Sequence, residues 1–283
     1  MEGFFYGEKL KYYSKNTIVS ICDNNILFSW VITRYLRKLQ ILMAKKSIQV
    51  LHKEDFIQNI SYDSVIFGFN GKQLKILVLE YHNTGLFALP GGFVRKYESL
   101  DEAVKKGVKE RTGLDHIYLE QFQTFGNLTR SDPSVMKRIL EENNLDLDVH
   151  DWLLDRFISI SYYALINYDK VTPVPDALSD SISWYAIDEL PALMMDHNQI
   201  VNRALQVLRN NLEKKLVGMN LLPSKFTMKQ LQKVYEVVLG EELRRTTFQR
   251  RILGMNMLER HEKLFQGTAH KAPYLYSFKL EQD

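Results

Sequence analysis

LPGGFVRKYESLDEAVKKGVKERTGL, residues 89–114, has the frame of a phosphate-chemistry turn and helix, with two of its carboxylates missing. Pro90-Gly91-Gly92 is a strong punctuation point that ends the short apolar run Phe87-Ala88-Leu89. Ser99 is placed to cap a helix over 99–111, with Glu102 three residues later as the partner of a capping box. Ala103, Val104 and Val108 fall on one face of that helix, and Gly113 is placed to close it.

Strands are expected on both sides. Ser64–Phe69 and Leu74–Leu79 are β-rich and are separated by the hairpin signal Asn70-Gly71. Residues 116–125 return as a strand, and the aromatic, β-branched run 157–168 reads as a central one. Between them, 131–156 is an acidic insertion (Glu141, Glu142, Asp146, Asp148, Asp151, Asp155), read as a short helix over 133–143 and a solvated loop. A strand over 183–187 and a long helix over 199–215 complete this part. The pattern changes at Leu221-Leu-Pro-Ser-Lys225. Thr227 caps a helix over 228–239 that Gly240 ends, a second helix covers 247–255, and strand-like pieces follow at 257–260 and 273–279. Helix, helix, hairpin is the order of a winged helix-turn-helix.

The chain has 283 residues, which favours one large or two moderate domains. With 45% hydrophobic and 12% aromatic residues it can build a core, which excludes global disorder. The net charge of +3 is small, so an argument for nucleic acid has to be local. The single cysteine, Cys22, excludes an intramolecular disulfide framework and suits a reducing, cytoplasmic setting. The apolar-rich segment 25–43 is interrupted by Arg34, Arg37 and Lys38, which argues against a membrane span or a signal peptide. Met43 opens a natural-looking start, so residues 1–42 are expected to lie outside the functional protein. The expected organisation is an extension over 1–59, a first domain over 60–220 and a second over 221–283.

The spacing Gly92-x5-Glu98-x7-Lys106-Gly107-Val108-x-Glu110-Arg111-x-Gly113-Leu114 resembles the Nudix box, whose pattern is Gly, Glu, Arg-Glu-apolar-x-Glu-Glu, Gly and an apolar residue. The resemblance implies an α/β/α sandwich with a mixed sheet. In that family three helix glutamates at i, i+3 and i+4 gather divalent metal against a pyrophosphate. Here those positions hold Gly107, Glu110 and Arg111, and Lys106 replaces the family arginine. One carboxylate beside a fixed positive charge is a poor collector of magnesium. Glu98 and Glu110 therefore read as remnants, with no catalytic or metal role. Gly92, Phe93, Glu98 and Arg111 become candidate effector-binding residues, although Arg111 also reads as a solvated surface side chain.

A degenerate Nudix domain followed by a winged helix resembles the Nudix-related transcriptional regulators over roughly residues 60–279. In that family the Nudix domain senses a small molecule, ADP-ribose in some members and sugars such as arabinose in others, and the C-terminal domain binds operator DNA. Residues 222–283 hold 11 lysines and arginines against 7 aspartates and glutamates. On the second helix Phe248, Ile252 and Met255 share the inner face, while Thr246, Gln249 and Arg250 point outward. Glutamine and arginine read adenine and guanine edges bidentately, which makes Arg250 and Gln249 the base-reading candidates. Arg244 and Arg245 are placed for phosphate, Arg251 for snorkelling or phosphate, Thr247 is a further DNA-contacting candidate, and Lys263, His270 and Lys271 are placed in the wing. The expectation is a homodimeric regulator of double-stranded operator DNA that responds to a sugar or nucleotide-sugar effector and needs no cofactor. The alternative is a divergent hydrolase of nucleoside diphosphate derivatives. Magnesium enters only there, and the acidic insertion could supply its ligands.

Overall fold

The computed structural model describes residues 51–115, 117–168, 171–212, 221–265 and 272–279. The readings of residues 1–42, Cys22, His270 and Lys271 lie outside the described residues. Chain order is β1 (Phe56–Phe69), β2 (Leu74–Tyr81), β3 (Phe87–Ala88), β4 (Gly91–Arg95), α1 (Leu100–Thr112), β5 (Tyr118–Phe125), α2 (Pro133–Glu142), β6 (Ile158–Asn167), β7 (Ser179–Ala186) and α3 (His197–Asn211). There follow β8 (Phe226–Thr227), α4 (Met228–Leu239), α5 (Arg245–Gly254), β9 (Leu258–Lys263) and β10 (Tyr274–Phe278).

The first ten elements make the α/β/α sandwich. Its mixed sheet runs β3-β2-β1-β6-β5, with β4 also on β1 and β7 also on β2. Strand β1 begins eight residues before the expected Ser64, at Phe56. Its polar first half is held by pairing, antiparallel to β4 on one side and parallel to β6 on the other, rather than by an apolar pattern. Further along, β1 alternates. Ile66 faces α1 together with Ala103, Val104 and Val108. Val65 and Phe67 face α3, whose Ile200, Val201, Ala204, Leu205 and Leu208 share their cluster.

The glycine turn and box helix are confirmed in detail. Ser99 Oγ accepts from Glu102 N at 3.3 Å, Ser99 N donates to Glu102 Oε2 at 2.8 Å, and Gly113 leaves the helix at φ 74°. The second half of the chain uses the same device. Thr227 and Gln230 form a reciprocal box at the start of α4, and Gly240 closes it at φ 79°. Thr227→Ala is expected to cost about 1 kcal/mol, read as a lower urea midpoint at unchanged slope.

Helix α5 starts two residues earlier than expected, so Arg245 lies in its first turn and Arg244 is its N-cap. Strand β9 runs on to Lys263. Strands β8, β10 and β9 form the winged helix's own three-stranded sheet. The insertion differs more from its reading. Its acidic side chains are exposed, as a solvated surface should be, but Leu140, Trp152 and Leu153 are buried. Trp152 stacks on Phe56 at 5.5 Å between ring centroids and meets Phe93 edge-on at 5.0 Å. The segment folds back as a wall of the sandwich. No described helix is long and apolar enough to cross a membrane.

Candidate functional site

A cavity of about 570 Å³ opens between the glycine turn, the box helix and the folded-back insertion. One end is apolar, lined by Phe56, Phe93, Met136, Leu153 and Phe157. The other is polar and is built on residues the sequence did not single out. Arg130 follows β5, is 5% exposed, and makes paired contacts to Asp196: Nε to Oδ2 at 3.0 Å and Nη2 to Oδ1 at 3.2 Å. Its Nη1 donates to Phe157 O at 2.8 Å, and Nη2 lies 3.5 Å from Asp63 Oδ2. Asp63 Oδ2 also accepts from Ser159 Oγ at 2.5 Å. Two buried carboxylates thus share one guanidinium.

His197, at the start of α3, accepts at Nδ1 from Leu89 N at 3.0 Å. The accepting nitrogen carries no proton, so the ring's hydrogen sits on Nε2, 3.7 Å from Asp63 Oδ1. The glycine turn is tied to α3 through this ring. Gly91 is required beside it, because a Cβ there would stand 2.7 Å from Tyr62 O and 2.8 Å from Asp63 Oδ1.

The sequence candidates are gathered here, with altered roles. Gly92 lines the cavity, and Phe93 lines it from within the aromatic cluster. Glu98 lines it while its Oε1 accepts from Arg95 N at 2.9 Å, so it holds the turn. Glu110 is exposed, 3.9 Å from Arg111. Arg111 is not a solvated surface side chain. It is 14% exposed and ion-paired to Asp176 at 3.2 Å, because the loop before β7 brings Asp176 against the end of α1. Its Nε has no partner among the described residues.

The box does not fit a metal. A side chain at position 107 would run into the Tyr62 hydroxyl, well inside van der Waals contact, and Arg111 is committed to Asp176. The insertion does not replace the lost carboxylates, since of its seven acids only Asp132 and Asp155 reach the cavity, and Asp132 is spent on capping α2 through Ser134. Among the described residues no cluster of three His, Cys, Asp or Glu side chains could hold an ion.

The second candidate surface is α5. Phe248 and Ile252 are buried, with Phe248 edge-on to Tyr235 of α4 at 5.1 Å. Arg244, Arg245, Thr246, Thr247, Arg250 and Arg251 are exposed, and Gln249 is half-buried. No side chain caps the α5 N-terminus, so its first N–H groups stand beside two arginines. Lys263 packs over the Tyr274 ring at 5.3 Å, next to Arg260 at 4.7 Å.

The residues that build the polar end, Tyr62 and Asp63, Arg130, Asp176, and Asp196 and His197, come from four separate points of the chain. No periodicity links them. The only local signal was a buried-strand aspartate at 63 and an arginine at the mouth of the insertion.

Two family models match this chain: the NUDIX domain over residues 60–205 and the NrtR DNA-binding winged helix domain over 218–278. A relative from Acinetobacter baylyi, the ADPR responsive transcriptional repressor NtrR, is 28% identical over 230 residues, 78% of this chain and 82% of the relative. The crystal structure of Shewanella oneidensis NrtR complexed with a 27mer DNA is similar at TM-score 0.60 and 28% identity, covering 78% of this chain and 94% of that one. A MutT/nudix family protein from Enterococcus faecalis shares the fold at TM-score 0.58 and 20% identity, covering 79% of this chain and 87% of that one.

Proposed function

This chain belongs to the Nudix family and carries an NrtR-type DNA-binding winged helix, which makes it a ligand-responsive, DNA-binding transcriptional regulator, and from that premise we propose how the pocket governs the DNA. The carrying observation is α3. At its start His197 lines the polar end of the cavity, and its N-cap Asp196 holds Arg130, which lines it too. Its last turn is fastened to α4: Arg209 Nε donates to Val238 O at 2.7 Å and Tyr235 Oη to Leu212 O at 3.4 Å. One helix thus touches the effector at one end and the DNA module at the other. A ligand that favours one placement of His197 and Asp196 biases the pose of the winged helix by its differential affinity for the two states.

The effector is a sugar-containing molecule. Supporting this, the polar end offers the accepting lone pairs of Asp63 and an N–H of His197, which suit hydroxyl groups, while the apolar end suits a ring face. Two chains act as a homodimer in the cytoplasm, each presenting α5 to one half-site of a palindrome about one turn of DNA apart. Arg250 and Gln249 read base edges. Arg244, Arg245, Thr246, Thr247 and Arg251 hold phosphates at the helix N-terminus and along its outer face, and Lys263, His270 and Lys271 serve the wing.

A gel shift on the DNA upstream of the protein's own gene tests this. Arg250→Ala is expected to cost about 1–3 kcal/mol on the preferred site and to flatten discrimination among sites. Arg244→Ala is expected to weaken every sequence alike and to reduce the salt slope by about 0.9. Wild-type behaviour of both variants overturns the assignment of α5 as the reading helix.

A further inference from the structure

We propose that the Tyr62 hydroxyl, standing where a metal-gathering side chain would stand, reads a hydroxyl group of the effector, so that recognition needs no divalent cation. The proposal rests on the cavity being the effector pocket.

Strand register places Tyr62 directly opposite Gly92 of β4, and the ring packs against the α1 side of the sheet with Val104 and Val108. Its oxygen lies between the two glycines of the box. A Cβ on Gly92 would come within 2.6 Å of it, and a Cβ on Gly107 closer still, with the ring carbon Cζ at 3.1 Å. The absence of side chains at 92 and 107 is therefore the space this phenol occupies. A glutamate at 107 would require the Tyr62 ring to leave this position.

The hydroxyl is not spent on the fold. Tyr62 is 6% exposed, yet its oxygen has no hydrogen-bond partner among the described residues, and it lines the cavity beside Glu98, Glu110 and Arg111. An unpaired O–H facing a cavity is free to hydrogen-bond a ligand that enters it. Burial pushes the phenol well above its usual range, with Arg111 opposing only in part, so it stays a neutral O–H. A neutral hydroxyl can donate to and accept from a sugar hydroxyl, and it cannot bind a cation as a carboxylate does.

The experiment is effector-induced change in operator affinity for the full chain, by fluorescence anisotropy. The probes are ADP-ribose and the free aldopentoses, each in magnesium and in EDTA. Wild type is expected to respond to a probe with the same half-saturation in both buffers. Tyr62→Phe keeps the ring, and is expected to keep the melting temperature and the probe-free operator affinity while its half-saturation rises about tenfold, which is about 1.4 kcal/mol. A Tyr62→Phe response equal to wild type overturns the proposal alone, as does a wild-type response lost in EDTA. A marked fall in its melting temperature shows that the hydroxyl is structural and also overturns it. No response to any probe in wild type overturns the effector reading beneath it, and the proposal with it.

Discussion

Arg130→Leu is expected to destabilise the protein by about 3–5 kcal/mol, the effect of removing one partner from a buried ion cluster. Among the described residues the guanidinium is the only cation paired with both Asp63 and Asp196, each 7% exposed. Without it two carboxylates face each other across a site that water hardly reaches, and Phe157 O loses its donor. Urea denaturation is the measurement. The companion variant is Arg130→Leu with Asp63→Asn and Asp196→Asn, which removes the stranded charges and is expected to recover most of the loss. A single variant within 1 kcal/mol of wild type would mean that the cluster is solvated, against the burial of all its members. Because Asp196 is the N-cap of α3, the single variant should also blunt any effector response at concentrations where it remains folded.

The second large effect is expected at Leu208. It is fully buried on α3, in the one cluster that contains both sandwich residues such as Val65 and Phe67 and winged-helix residues such as Leu231, Val234 and Phe248. Leu208→Ala leaves a cavity and is expected to cost about 2–5 kcal/mol. The informative comparison is with Leu140→Ala, equally buried but in the aromatic cluster of the insertion. Both should lower stability. Only Leu208→Ala should also weaken the dependence of operator binding on effector, because only it loosens the contact between pocket helix and DNA module. Equal coupling in the two variants would move the transmission path away from α3.

The legible parts of this molecule were those written in neighbouring residues. The box helix, its Ser99 and Gly113 ends, the Asn70-Gly71 hairpin, the Thr227 cap and the winged helix's inner face at Phe248 and Ile252 each depend on side chains within a few positions of one another. The resemblance to the Nudix regulators rested on the same kind of local spacing. What stayed hidden is what the sheet assembles. Parallel pairing of β1 with β6 puts Asp63 beside Ser161 and near Ser159, about a hundred positions away. Arg111 read as surface because its partner, Asp176, arrives from a loop on the far side of β6. Trp152 sat in an acidic run whose charges masked its inward face. Tyr62 carried no signal at all, since the reason for it is a gap at Gly107.

The fastening of α3 to α4 bears on how such a regulator could be rewired. The winged helix is not a detachable reader: part of its hydrophobic interior is furnished by Leu205, Leu208 and Leu212, which belong to the sensor's last helix. A chimera cut at the composition change near Leu221 would strip that face from both parents. A graft that exchanges operator preference between relatives would have to carry α3 along, and with it Asp196 and His197, so part of the sensor's specificity would travel with the reader.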